Sequence, residues 1–175
     1  MSFIVALNLV KSLEGGKGNN PADPGGATNC GITQTTWEGL GYSGSVYDAT
    51  PTQIADCYRK FWDSLRLYNP ESRASQSVFE LLPEPADSVA FQFHINVPVA
   101  PFVRALQGVV GAKMDGHMGP QTWNAINAQR GNGEDLSNSI LTAQEWYYRG
   151  LRNPQFEHGW LNRVARVREW VKTQA

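Results

Sequence analysis

A mostly α chain with a small β element (α+β) is the fold class that the sequence predicts. Three observations carry it: apolar side chains recur at helical spacing in most segments, one glycine-dense stretch follows the first of them, and no series of alternating strands occurs in the 175 residues. Six Trp, six Tyr and seven Phe, in a chain 41% hydrophobic and 18% charged, supply a core and exclude disorder. This length suits one domain, or a lobe with a small companion.

The elements follow in order. Residues 2–14 align Phe3, Leu7 and Val10, flanked by Ala6 and Leu13, on one face of an amphipathic helix that Gly15-Gly16 is expected to stop. Residues 15–33, GGKGNNPADPGGATNCGIT, are too rich in glycine and proline for helix, so turns or a short hairpin are expected, and a loop this long in a small domain is usually functional. Thr33 can cap a short helix through Trp37. Thr50-Pro51 opens a helix over 51–67 with Ile54, Cys57, Tyr58, Phe61, Trp62 and Leu65 on its apolar side. A short helix is expected at 75–82, and the Pro-rich LLPEPADS at 81–88 marks the best boundary. Further helices are expected near 87–96, 101–110, 120–128, 136–150 and 154–173. The organisation expected is a region over 1–86 and a second helical region over 87–175, packed as one compact unit.

Charge narrows the partners. The formal net charge is −1, without the basic excess that phosphate-dominated nucleic-acid binding requires. Residues 1–86 carry 6 basic and 9 acidic groups, and 87–175 carry 9 and 7. The basic groups cluster at the end: Arg149, Arg152, Arg163, Arg166, Arg168 and Lys172 face only Glu157 and Glu169 there, either an ordinary solvated helix face or a contact for an anionic polymer. Cys30 and Cys57 have neither disulfide-framework nor metal spacing. The apolar run at 3–10 lacks a basic lead-in and a cleavage site, so it reads as a core helix, and no stretch reaches the ~20 apolar residues of a membrane span.

Glu14 is the first candidate for chemistry. It extends the Phe3, Leu7, Val10 stripe by four residues and stands at a helix C-terminus, so partial burial and the helix dipole both disfavour its charged form. That is the setting of a general acid; the alternative is a solvated terminal glutamate. Asp23 lies nine residues on, followed by Thr28. A reversing loop could face Asp23 to Glu14 as a carboxylate pair of the glycosidase kind, or Asp23 could simply cap its Asp-Pro-Gly turn.

Taken whole, LEGGKGNNPADPGGATNCGIT resembles the N-terminal signature of glycoside hydrolase family 108, N-acetylmuramidases of the secretion-activating or phage-endolysin type. The pattern EGG followed by D-x-GG-x-T-x-x-GIT is met by Glu14, Gly15, Gly16, Asp23, Gly25, Gly26, Thr28, Gly31, Ile32 and Thr33. The resemblance implies a lysozyme-like helical fold and cleavage of the β-1,4 bond between N-acetylmuramic acid and N-acetylglucosamine. It maps Glu14 on the catalytic acid, Asp23 on the base and Thr28 on a residue that holds water. The second half resembles the predicted peptidoglycan domain of the same family through Asn96 in FQFHINVP, Leu106-Gln107, DGHMGPQTW at 115–123 and GWLNRV at 159–164. It departs from the family in Gln92, where an acidic residue is common, and in Pro98, where a small one is. DGHMGPQTW reads as scaffold: Asp-Gly turns, Gly-Pro starts a helix and Trp packs.

Of the aromatics Trp37, Tyr42, Tyr58, Trp62 and Tyr68, one or two are expected to stack on sugar, Trp62 and Tyr68 first, with Asn96 as an amide contact. Competing chemistries are weaker. Cys30 has no base beside it in sequence, and His94, His117 and His158 form no zinc motif. The phosphate-binding glycine motifs are missing from GGKGNN and its surroundings. The expectation is a muramidase without cofactor or metal, monomeric, acting on peptidoglycan glycan strands, with neither nucleic acid nor membrane insertion. The rival readings are a lytic transglycosylase and a non-catalytic peptidoglycan-binding protein. With no signal peptide in view, such an enzyme is expected to be made in the cytoplasm and to reach the wall through holin-type release or dedicated secretion.

Overall fold

A computed structural model describes residues 2–19 and 27–174. Contacts within the chain divide it into two units, Phe3–Ser64 and Leu65–Ala175.

The first unit begins with α1 (Ser2–Leu13), whose inward stripe is the expected one: Phe3, Ala6, Leu7 and Val10 are buried. Phe3 meets Trp62 edge to face at 5.6 Å, and the Arg59 guanidinium lies 3.7 Å over its other face. A three-stranded antiparallel sheet follows, β1 (Lys17–Asn19), β2 (Ala27–Asn29) and β3 (Ile32–Thr33), with Gly18 opposite Thr28 and Asn29 opposite Ile32. The β2–β3 connection is two residues long, with positive φ at Cys30 (48°) and Gly31 (81°), a type I′ hairpin turn that matches the strand twist. Thr33 ends β3 and caps α2 (Gln34–Gly39), accepting from the Thr36 N–H. A short 3-10 turn (Val46–Asp48) leads to α3 (Pro51–Ser64), whose Ile54, Cys57, Tyr58 and Trp62 are buried.

The second unit opens with a hairpin that helical spacing had hidden. The helix expected over 51–67 ends at Ser64, whose hydroxyl donates to the Phe61 carbonyl, and the chain continues as β4 (Arg66–Asn69) paired with β5 (Ala74–Ser77). Leu65, Leu67 and Asn69 point inward while Arg66 and Tyr68 are exposed, a period of two in place of 3.6. The expected helix at 75–82 is accordingly half strand, and only α4 (Val78–Leu81) is helical. Then come α5 (Ala86–His94), α6 (Val99–Val110), α7 (Pro120–Asn127), α8 (Gly133–Gly150) and α9 (Pro154–Lys172). Every residue of α5 is buried, so this helix forms the centre of the unit and needs no polar face. Among the described residues, no helix is long and apolar enough to cross a membrane.

Candidate functional site

Glu14 follows α1 directly, its N–H still donating to the Val10 carbonyl at 2.9 Å. The side chain is half-buried and lies across the α-carbon of Gly31. A β-carbon built there would stand 2.8 Å from Cγ, Cδ and Oε2 of Glu14, closer than real side-chain contacts come. Gly31 is therefore required twice, by its φ of 81° and by the carboxylate above it. Gly15 and Gly16 follow the end of α1 at Leu13, as expected, but without a left-handed cap. Neither has a left-handed φ, so they do not form the usual glycine cap; no described atom lies within 4 Å of where their β-carbons would be, which leaves bare backbone beside Glu14.

The turn under Glu14 is fixed from three sides. The Tyr58 hydroxyl on α3 donates to the Cys30 carbonyl at 2.7 Å, and the Cys30 N–H donates to the Gly16 carbonyl at 3.3 Å. Asn29, 5% exposed, donates from Nδ2 to the carbonyls of Val46 (3.0 Å) and Ala49 (3.4 Å), tying β2 to the 3-10 turn. Lys17 on β1 donates to the Tyr47 carbonyl. A cleft of about 260 Å³ lies alongside, lined by Lys11, Lys17, Asn29, Cys30, Pro51 and Ile54. Sequence reasoning did not single out Asn29 or assign Tyr58 this task. Their partners lie 17 to 28 residues away, and nothing local announces them.

The other proposed residues are placed as follows. Thr28, on β2, donates from Oγ1 to the Gly18 carbonyl across the sheet at 3.2 Å. Asp23 lies outside the described residues. Trp62 is not a sugar platform: it has 0% exposure and packs against Phe3. A ring sealed in the core has no face to offer a pyranose. Trp37 and Tyr58, each 2% exposed, are core as well, while Tyr42 stacks on Trp37 at 4.1 Å. Tyr42 donates its hydroxyl to Asp56, which holds that carboxyl below the usual carboxylate range. Tyr68, on β4, is 57% exposed. Asn96 is exposed and donates to the Gln92 carbonyl at 2.7 Å, closing the end of α5.

The second unit explains the remaining motifs as scaffold. Gln107, fully buried, donates from Nε2 to Asp115 Oδ1 (3.0 Å), the His117 carbonyl (3.0 Å) and Thr122 Oγ1 (3.1 Å), and accepts from the Gly116 N–H at 2.9 Å. Leu106-Gln107 and DGHMGPQT are thus one locked corner, with Gly116 at φ 80° and Pro120 opening α7. The His117 N–H first, then the Gln107 amide, hold the Asp115 carboxyl below its ordinary range. Gln92, the departure from the family pattern, is fully buried and bonded to Gln144 at 2.7 Å; Gln144 in turn donates to the Tyr148 hydroxyl at 3.0 Å. Here a neutral amide pair fills the position, and Pro98 simply precedes α6 as its N-cap. His94 is buried against Phe79 and Phe102, and burial pushes its imidazole down to about 4. In the basic tail, Arg149 pairs with Glu145 and Glu157, Arg168 with Glu145, and Lys172 with Glu169. No group of three or more His, Cys, Asp or Glu suited to a metal ion occurs among the described residues.

The family models agree with the division of motifs. The glycosyl hydrolase 108 model matches residues 7–83, and the predicted peptidoglycan domain matches 100–165. No curated protein sequence matches. Among solved structures, that of Brucella abortus SagA is similar over 98% of this chain and 94% of its own, with 32% identity and a TM-score of 0.74. The α+β arrangement is accordingly lysozyme-like. With Glu14 set over the glycine turn, both family segments matched and this likeness along the whole chain, the protein belongs to the glycosyl hydrolase 108 family and is a peptidoglycan-directed glycoside hydrolase.

Proposed function

We propose that the chain is an N-acetylmuramidase, cleaving the β-1,4 bond between N-acetylmuramic acid and N-acetylglucosamine with Glu14 as general acid. The observation that carries this reading is the Glu14 carboxyl lying over Gly31 on a turn whose backbone is anchored from α3 and from Gly16. A proton donor must be held within a fraction of an ångström of the leaving oxygen, and a helix end against a locked hairpin does that. Bare backbone at Gly15 and Gly16 lets a polymer approach beside it. In the mechanism, Glu14 protonates the glycosidic oxygen as the bond to the muramic anomeric carbon breaks. Asp23, nine residues after Glu14 in the sequence, activates water, and Thr28 steadies that water or the sugar. Acting on the wall, such an enzyme reaches its substrate through holin-type release or dedicated secretion.

Mass spectrometry of a peptidoglycan digest tests this. Wild type is expected to release muropeptides with reducing N-acetylmuramic ends, and Glu14→Gln none, with a Tm unchanged or slightly raised. Anhydro-muramic ends would reassign the chain to the lytic transglycosylases. Undiminished release by Glu14→Gln would remove Glu14 from the mechanism.

A further inference from the structure

The Leu65–Ala175 unit, which does not contain Glu14, has a cleft of about 200 Å³ between the β4–β5 hairpin with α4 on one side and α7 on the other. Its walls come from both family segments: Gln76, Glu80 and Leu81 from the hydrolase model, Trp123, Asn127 and Arg130 from the peptidoglycan-domain model. The polar groups are held in place but not consumed. Asn69 is fixed by the Glu71 and Ser72 N–H groups, at 2.9 and 3.3 Å, and donates to Gln76 Oε1 at 2.6 Å. This orients Gln76 and leaves its Nε2 without a partner among the described residues. The Glu80 carboxylate, the Asn127 carboxamide and the Trp123 indole N–H likewise bond to none of the described residues. Arg130 has one exposed, 3.5 Å pair with Glu71.

We infer that this cleft binds an N-acetylated hexosamine unit of the glycan strand, using residues of the second unit alone, as a non-catalytic anchor. Sugar hydroxyls and an acetamido group need donors and acceptors side by side, which Gln76, Asn127, Trp123 and Glu80 supply. A pyranose also needs an apolar surface for its C–H face, and the half-buried Leu81 provides it. Opposite charges on Glu80 and Arg130 select against a polyanion, for which the walls would be uniformly basic. The space accommodates about one ring, so the cleft grips a single residue of the strand. The inference rests on peptidoglycan being the substrate, and it gives the second family segment a defined contact.

The test is nitrogen-edited NMR of the full chain carrying Glu14→Gln, titrated with N,N′,N″-triacetylchitotriose. The Trp123 indole N–H and the Gln76 and Asn127 side-chain amides are expected to shift saturably. Asn127→Ala, at a half-buried position, and Glu80→Gln, at an exposed one, are each expected to weaken that titration at least about fivefold, the loss of one hydrogen bond. An unmoved Trp123 indole, or one that titrates identically in both variants, overturns the inference. Reducing ends released by the wild-type chain score the hydrolase reading separately. Release with an unmoved Trp123 refutes the cleft alone, and a shifting Trp123 without release refutes the hydrolase alone.

Discussion

Replacing Gly31 by alanine perturbs two things whose sizes can be separated. A β-carbon at φ 81° costs about 1–2 kcal/mol in backbone strain, which for a chain of this size lowers Tm by about 5 °C. The same β-carbon would sit 2.8 Å from three atoms of Glu14, where ordinary contact spans 3.4–4 Å, so the carboxyl must move by at least about 0.6 Å and by about 1 Å to reach the middle of that range. A displacement of that size at a catalytic group costs on the order of 10²-fold in rate. Gly41 supplies the control: its φ is 86°, yet nothing described lies within 4 Å of its β-carbon position. Gly41→Ala should therefore lose similar stability and keep its activity, while Gly31→Ala loses both. Thermal unfolding and release of reducing ends from purified peptidoglycan measure the two quantities. A Gly31→Ala protein that melts early but cleaves as fast as Gly41→Ala would refute the argument that the turn positions Glu14.

Three other outcomes follow from the packing. His94 titrates near 4 when folded against 6.5 when unfolded, so its neutral form supports the fold fully above pH 6.5 and that support is lost as pH falls toward 4. The difference is about 3 kcal/mol; His94→Leu should flatten the acid limb of a urea-unfolding series by that amount, and an identical limb in both proteins contradicts it. Gly133→Ala drives a β-carbon to 1.8 Å from the Glu84 carbonyl oxygen, backbone that cannot swing aside, and should cost about 3 kcal/mol or about 10 °C in Tm. Gly159→Ala, in open space within α9, should be neutral or stabilising, and equal melting of the two would show that the 133 contact relaxes freely. Glu145→Gln releases Arg168 and leaves Arg149 with Glu157 alone, at less than about 1 kcal/mol, and should raise retention on cell walls at low salt; unchanged retention would mark the basic tail as a solvated face.

Where local rules decide, the sequence was readable. The stripe Phe3, Leu7, Val10, the Thr33 cap and the Gly119-Pro120 start of α7 each involve neighbours within a few residues, and all three are present in the structure. The β4–β5 hairpin was hidden because Leu65 and Leu67 continue the apolar side of α3 nearly as well as they alternate along a strand. Trp62 was misjudged for a related reason: spacing shows which side of α3 is apolar, but not that Phe3 seals the ring from solvent. The family was legible because its glycines, threonine and acid recur as a string. Asn29 and Tyr58 were invisible as supports because what they hold is backbone, and backbone carbonyls leave no trace in sequence.

A glycine-dense signature invites the interpretation that it is there for flexibility, and the geometry argues the opposite for its described part. Gly31 is bare so that Glu14 can lie on it, Gly18 is bare where a β-carbon would stand 3.1 Å from the Thr28 hydroxyl, and Ile32 and Thr33 commit the next residues to the core and to the cap of α2. Each bond that fixes the turn arrives from a different element: Tyr58 from α3, the Gly16 carbonyl from the end of α1, and Asn29 reaching out to the 3-10 turn. Loss of the Asn29 bond leaves the buried Val46 carbonyl unpaired, at about 1–3 kcal/mol, and loss of any of the three loosens the surface under the carboxyl. The glycines thus encode a position, and the aromatic and amide residues that hold it are as much part of the acid's placement as the helix that ends at it.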